Sequence, residues 1–157
     1  MNAPTALVMA AGQGTRMRSA LPKVLHEICG RPMVAWPILA AKEAGAGRVC
    51  VIVSPDRDLS AALPNGTETI VQPEADGTGG ALRVASEVVR SSDTVLVLSG
   101  DHPLVSAEII DELIATHRDA DAAATVMTTE MEDPASYGRI VRSPDGNIER
   151  IVEAKSP

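Results

Sequence analysis

The sequence has few aromatic side chains and no long apolar run. Of its 157 residues none is Phe, one is Trp and one is Tyr, while the net charge is −7. Nucleic-acid binding typically uses a basic face and aromatic platforms for the bases, so this composition predicts no nucleic-acid partner. No apolar run approaches the roughly 20 residues that a membrane-spanning helix needs, which predicts no membrane partner.

The two cysteines and the first residues indicate a compartment. Cys29 and Cys50 are far apart in the sequence, and neither belongs to a CxxC or Cys/His spacing. Free thiols of this kind are typical of a reducing cytoplasm. The N-terminal segment also lacks the basic start of a secretory signal peptide. We therefore expect a cytoplasmic protein.

What the sequence does contain is a regular alternation of strand and helix patterns, enough for one domain with an aliphatic core. We predict strands at 5–10, 48–53, 68–72, 94–98 and 122–127, and helices at 33–44, 56–63, 77–89 and after Ser106. Pro37 predicts a late start or a kink in the first helix, and Thr78 is the expected N-cap of the third. Segments 137–142 and 147–152 predict a β-hairpin. The pattern indicates an α/β fold with a Rossmann-like, mostly parallel sheet, flanking helices and a C-terminal β-hairpin.

The chain is organised around a glycine-bearing loop that follows the first strand. Gly12 and Gly14 allow backbone N–H groups to approach a ligand closely, and Arg16, Arg18 and Lys23 follow within eleven residues of Gly12. Arg and Lys suit phosphate oxygens, so we predict a polyphosphate pocket; the alternative is an ordinary turn with solvated cations. A dinucleotide fingerprint is excluded because Met17 stands at its third glycine position, and no GK[ST] motif indicates a P-loop.

Further polar residues follow the other predicted strands. Ligands of parallel sheets bind outside the carboxyl ends of the strands, where we expect the 12–23 loop, 72–78, Asp101 and, more loosely, 138–153 to converge. A lone carboxylate at a strand tip suits Mg²⁺, which takes one or two carboxylates together with phosphates, so Asp101 is a candidate ligand. The alternative is a turn aspartate. No Ser/His/Asp or Cys/His nucleophile set is visible.

Several segments together resemble a known family. They are 10–17 (AAGQGTRM), 21–26 (LPKVLH), 30–33 (GRPM), Gln72, 77–79 (GTG), 100–104 (GDHPL), 137–141 (YGRIV) and 151–155 (IVEAK). In this order they resemble the sugar-nucleotide pyrophosphorylases, and most closely the uridylyltransferase domain of the bifunctional enzymes that make UDP-N-acetylglucosamine. The chain departs from the family at Gly80, where His is common, and at Ser99, where an aromatic residue is frequent.

The resemblance implies a role for each matching position. Arg16 would contact the departing pyrophosphate, and Lys23 the α-phosphate and the sugar phosphate. Gly138 and Glu153 would contact the N-acetylglucosamine, and Asp101 would ligate Mg²⁺. Uracil and ribose would be held by residues of two loops, namely Ala11, Gly12, Gly14, Gln72, Gly77 and Thr78.

The activity implied is Mg²⁺-dependent formation of UDP-N-acetylglucosamine and pyrophosphate from UTP and N-acetylglucosamine 1-phosphate. Two alternatives remain: a related nucleotidyltransferase for another sugar 1-phosphate or dTTP, and a non-catalytic nucleotide-binding fragment. Residues 1–157 are expected to form a single nucleotidyltransferase domain that is incomplete at its C terminus and that lacks activity if the missing part is essential. A homo-oligomer is expected if the full-length chain carries a β-helix domain.

Overall fold

The computed structural model describes residues 2–12, 14, 17–74, 76–135 and 137–153. Its strands are β1 (Thr5–Met9), β2 (Glu27–Ile28), β3 (Arg31–Pro32), β4 (Arg48–Val53), β5 (Glu68–Val71), β6 (Val95–Ser99), β7 (Arg139–Arg142) and β8 (Ile148–Val152). Its α-helices are α1 (Ala35–Glu43), α2 (Gly77–Val84), α3 (Ser86–Arg90) and α4 (Ala107–Asp119). The chain divides into two compact units, residues 1–115 and residues 116–157.

The first unit contains a four-stranded sheet that is parallel throughout. The strand order is β5-β4-β1-β6, and β1 pairs with both β4 and β6. The chain therefore builds the sheet outward from β1 to β5 and then crosses back to add β6 on the other side of β1. The order reverses between β1 and β6, and open α/β sheets of this kind bind ligands beside the carboxyl ends of the strands at such a reversal.

Both faces of this sheet are covered, as the unbroken apolar runs of β1 and β4 predict. Successive side chains of a strand point to opposite faces. On one face Ala6 and Val8 join a core that includes Ile38 of α1 and Ile110 of α4. On the other face Leu7 packs in a smaller core with the α2–α3 region. The sheet is therefore a rigid layer between helices, and its predicted flanked, parallel character is confirmed.

Between β1 and α1, the residues that the structure describes form only short elements. Residues Lys23–Leu25 form a single 3₁₀ turn, and β2 and β3 form a minimal antiparallel hairpin. Val24 is buried, and its carbonyl accepts a hydrogen bond from the N–H of Val34 at 3.0 Å. These contacts tie the turn that carries Lys23 to the start of α1.

Two expectations about helix starts have different outcomes. α1 begins at Ala35, so Pro37 lies in its first turn, where a missing N–H costs no helical hydrogen bond, and the predicted late start is confirmed. The prediction of Thr78 as an N-cap is wrong. α2 begins at Gly77 with Asp76 at the N-cap position, and the Asp76 side chain makes no capping hydrogen bond. The side chain of Asp76 is instead used in the contact described below.

Two predicted elements are absent from segments that the structure describes in full. Residues 56–63 form only the 3₁₀ turn Ser60–Ala62, because Asp58 accepts the N–H of Ser60 and favours a local turn over a continuous helix. Residues 122–127 form no strand. Val126 and Met127 are 46% and 56% exposed there, and an extended segment becomes a strand only when its backbone pairs with a neighbour.

The second unit contains the predicted hairpin. β7 and β8 pair antiparallel, with Arg139 opposite Val152 and Ile140 opposite Ile151. The connecting turn includes Gly146 at φ +86°, in the left-handed region that favours glycine. Within the described part of the chain, no helix is both long and apolar enough to cross a membrane.

Candidate functional site

The carboxyl ends of the four parallel strands lie abreast along one edge of the sheet. Past the last paired residues the backbone continues to bond across strands: the Gly100 N–H donates to Met9 O, and the Ala10 N–H to Ile52 O, both at 2.9 Å. The Gln72 N–H donates to Val53 O at 2.8 Å. The loops after β5, β1 and β6 therefore start at the same edge of the sheet. The predicted convergence on this edge is observed for the described residues at the start of the 12–23 loop, for Gln72 and for Asp101, whereas 138–153 belongs to the second unit.

Gly14 sets the position of Lys23. Its φ is +61°, and a Cβ built on it would lie 2.7 Å from the Cβ of Lys23, closer than two side chains can approach. A glycine here meets both requirements, the left-handed backbone and the close approach. The loop after β1 therefore packs directly against the turn that carries Lys23.

Lys23 forms an ion pair with Asp101 beside the β1–β6 reversal. Its Nζ donates to Asp101 Oδ2 at 2.5 Å, and Ser99 Oγ donates to Asp101 Oδ1 at 2.5 Å. Partial burial raises the pKa of the Asp101 carboxyl. The hydrogen bonds from Lys23 and Ser99 and the charge of Lys23 outweigh burial, so the pKa lies below its ordinary value. Asp101 is accordingly ionised at neutral pH.

The side chains around Asp101 determine which kind of metal site it could form. His102 Nε2 lies 3.8 Å from Asp101 Oδ1, and among the described residues no group of three His, Cys, Asp or Glu side chains could enclose a metal ion. One ionised carboxylate fits Mg²⁺ when phosphates and water supply the other ligands. The residues therefore fit a cation that arrives with a phosphate-bearing substrate rather than one in a protein cage.

At the other end of the sheet edge, the side chain of Gln72 is buried and hydrogen-bonded. The side chain is 5% exposed, and its Nε2 donates to Asp76 Oδ1 at 2.8 Å and to Gly77 O at 3.2 Å. Gln72 follows β5 and Asp101 follows β6, three strand spacings away, which is about 14 Å along the edge. This distance exceeds the width of a single base or phosphate group.

Arg57 was not among the predicted site residues, yet it contacts the glycine loop. It follows β4, and its Nη1 donates to Gly12 O at 2.8 Å. The sequence offers one signal, a cation shortly after a buried strand, in a segment for which a short helix is predicted. Arg57 therefore adds a positive charge to the loop that already contains Gly14.

The remaining predicted residues have these positions. Ala11 is partly buried against the smaller core, while Gly12, Gly77 and Thr78 are exposed at the loop after β1 and at the start of α2. Arg16 lies outside the described residues. Gly138 and Glu153 lie in the second unit, where they are neighbours: a Cβ built on Gly138 would lie 3.4 Å from Glu153 Oε2.

Comparison with known proteins places these features in a family. The model of the MobA-like NTP transferase domain matches residues 6–151. Curated relatives named Bifunctional protein GlmU include those of Alkaliphilus metalliredigens, 42% identical over 151 residues, and Sorangium cellulosum, 45% identical over 161 residues. The two alignments each cover 96% of this chain, but 33% and 34% of the respective relatives. The chain thus spans about a third of the length of these relatives.

A solved structure agrees at the level of the fold. The crystal structure of Rv0371c from Mycobacterium tuberculosis H37Rv matches with a TM-score of 0.61 and 24% sequence identity, over 76% of this chain and 63% of that one. The match supports the observed arrangement of a parallel sheet with flanking helices. The family model extends over nearly the whole sequence, and it leads to one conclusion: this chain belongs to the family of MobA-like NTP transferase domains.

Proposed function

We propose that this chain transfers the uridylyl group of UTP to N-acetylglucosamine 1-phosphate, forming UDP-N-acetylglucosamine and pyrophosphate. The observation that carries the proposal is the Lys23–Asp101 pair beside the β1–β6 reversal, in a chain whose family is that of NTP transferases. The choice of uridylyl transfer to this sugar rests on the match of the subgroup motifs and on the GlmU relatives.

The reaction requires little covalent work from the protein. A phosphate oxygen of the sugar 1-phosphate attacks the α-phosphorus of UTP, and the bond from that phosphorus to the oxygen bridging to the β-phosphate breaks, releasing pyrophosphate. Catalysis of this kind depends on positioning and on stabilising negative charge. The absence of a nucleophile–base pair from the sequence motifs is consistent with such chemistry.

Lys23 is proposed to hold the reacting phosphates. Its ammonium already lies at the sheet edge, where it donates to Asp101, and it would exchange that carboxylate for the α-phosphate and the sugar phosphate. Arg16 is proposed, on the motif match, to bind the departing pyrophosphate. Two cations on the two sides of the reacting phosphorus would neutralise charge on both the attacking and leaving groups.

Asp101 is proposed to hold Mg²⁺ once its pairing with Lys23 is released. Mg²⁺ held there together with the phosphates would neutralise part of the negative charge that develops on the leaving group. In the neutral range the Asp101 carboxyl would be deprotonated with or without Lys23, because an ordinary aspartate pKa already lies well below pH 7.

The remaining residues are proposed to bind the nucleoside and the sugar. Gln72 lies at the far end of the edge from Asp101, which suits a base whose triphosphate extends toward β6. We propose that the loop and helix-start residues complete the uridine site, namely Ala11, Gly12, Gly14, Gly77 and Thr78. Gly138 and Glu153 are proposed to contact N-acetylglucosamine on the motif match, and a cytoplasmic location is proposed on the same basis.

Release of pyrophosphate from UTP, N-acetylglucosamine 1-phosphate and Mg²⁺ tests the proposal. Lys23→Ala and Asp101→Ala should each lower the rate at least ~10²-fold, the scale of one lost preorganised charge contact. Arg90→Ala, which removes an exposed cation from α3, is the matched control and should retain the wild-type rate. Faster turnover with glucose 1-phosphate or dTTP would replace the proposed substrates, and UTP binding without pyrophosphate release would refute catalysis by this chain.

A further inference from the structure

The side chain of Asp76 occupies space that is left open by the glycine four residues later. A Cβ built on Gly80 would overlap the Asp76 carboxylate, with Oδ1 the nearest atom. Gly80 lies inside α2, where glycine is less favourable than alanine by about 1 kcal/mol. The helix thus contains an unfavourable residue at a position where a larger side chain would displace Asp76.

Asp76 uses this space to hold Gln72. Although Asp76 stands at the N-cap position, its side chain makes no capping hydrogen bond, and its Oδ1 accepts the Gln72 amide at 2.8 Å. The second amide hydrogen of Gln72 is directed to Gly77 O at 3.2 Å. Both partners can only accept, so the NH₂ group must face them and the orientation of the carboxamide is determined by chemistry.

The second oxygen of Asp76 has a different neighbour. Arg83 Nη1 lies 3.5 Å from Asp76 Oδ2, on a side chain that is 76% exposed. This contact is long and exposed, so it contributes little energy, and the oxygen that faces the Gln72 carboxamide is Oδ1. One oxygen of Asp76 therefore contacts Gln72, which follows β5, and the other lies near Arg83 of α2.

We propose that Asp76, accommodated by Gly80, is a positioning residue that makes Gln72 present its Oε1 to the nucleobase. With both amide hydrogens engaged, the polar atom that remains for a ligand is an acceptor. This oxygen can accept a hydrogen bond from the imide N–H of uracil or thymine. It would repel N3 of cytosine, because that atom is also an acceptor. A site built to accept a donor from its substrate discriminates strongly against an analogue that lacks the donor. This inference rests on the proposed nucleotide-binding function.

The test is the ratio of UTP to CTP affinity, measured by titration calorimetry with Mg²⁺ on the 157-residue chain. We expect the wild type to prefer UTP and Asp76→Ala to reduce that preference about tenfold, as expected for loss of one charge-assisted hydrogen bond. Asp76→Asn retains an acceptor oxygen and should stay near the wild-type ratio. Glu74→Ala removes an equal charge from an exposed neighbour and should leave the ratio unchanged.

A second variant disrupts the contact between Asp76 and Gln72 by changing Gly80 instead of Asp76. Gly80→Ala should reduce the preference as Asp76→Ala does, because its methyl group displaces the carboxylate, while its higher helix propensity keeps the protein folded. Adding Gly80→Ala to Asp76→Ala should reduce the preference no further. If Asp76→Ala does not fold, Gly80→Ala alone still tests the proposal.

The failure of this inference can be separated from the failure of the proposed function. If the wild type prefers UTP and both Asp76→Ala and Gly80→Ala retain that preference, the role of Asp76 is wrong and the nucleotide site stands. If the wild type binds neither nucleotide, the proposed function is wrong and this inference fails with it. Independent and additive effects of the two substitutions would also contradict it.

Discussion

Lys23 and Asp101 are separated by 78 positions in the sequence and form one ion pair in the structure. The sequence indicated each of them separately, Lys23 for phosphate and Asp101 for a cation, and it gave no sign that they bond to each other. If the proposed function is correct, Lys23 and Asp101 neutralise each other until a nucleotide phosphate replaces the carboxylate at Lys23. Substrate binding would then release the acid that holds Mg²⁺.

The acidity of Asp101 predicts a pH dependence of stability. Its folded-state pKa is lowered, so its contribution is present above the unfolded value, about 3.9, and is lost as the pH falls through the folded value. We expect Asp101→Asn to melt below the wild type at pH 7 and the gap to close below about pH 4. Asp111→Asn, on an exposed position of α4, is the control. A gap that stays constant from neutral to acidic pH would contradict the ion pair.

Two other residues show what single positions in the sequence could not reveal. Arg57 contacts Gly12, and Asp76 contacts Gln72, but neither contact follows from a local pattern. Arg57 reaches its partner across 45 positions, and Asp76 depends on a missing Cβ at Gly80. The Arg57 contact is set by the packing of separate segments, and the Asp76 contact depends on how the backbone turns between β5 and α2. Gln72 and Asp101 could be identified because they directly follow strands.

At the scale of elements, the loop between β1 and the 3₁₀ turn is the part on which the site depends most. Gly14 of this loop approaches Lys23 of the turn so closely that no side chain fits between them. The bounds of β4 and the first residues of α2 agree with the prediction because apolar runs and glycines are local signals. The predicted strand at 122–127 failed because pairing depends on a partner strand that no local signal specifies.

Replacing Gly14 tests this dependence. Gly14→Ala should destabilise the protein by about 1–2 kcal/mol, since alanine disfavours a φ of +61° and its methyl group would meet Lys23. Urea unfolding measures the change. Gly12→Ala is the matched control for stability because its φ is not positive and a Cβ there meets no atom within 4 Å. Equal stabilities of the two variants would show that the close approach of Gly14 to Lys23 is not required.

At the scale of the whole molecule, a parallel sheet brings together loops that are remote in sequence. The alternation of strands and helices was sufficient to predict that sheet and the edge where the site lies. The alternation could not give the strand order β5-β4-β1-β6, because β6 could have been added at either edge. The order matters because it places β1 beside β6, and so Lys23 beside Asp101, with Gln72 at the opposite end of the edge.

The central claim is that this edge binds one nucleoside triphosphate through Lys23, and calorimetric titration of the chain with UTP and Mg²⁺ tests it most directly. The account predicts one UTP per chain and at least about tenfold weaker binding for Lys23→Ala, because a charge-assisted contact to phosphate is lost. Arg90→Ala should bind as the wild type does, which excludes a general effect of net charge. The absence of UTP binding by the wild type, or equal binding by Lys23→Ala, would contradict the account.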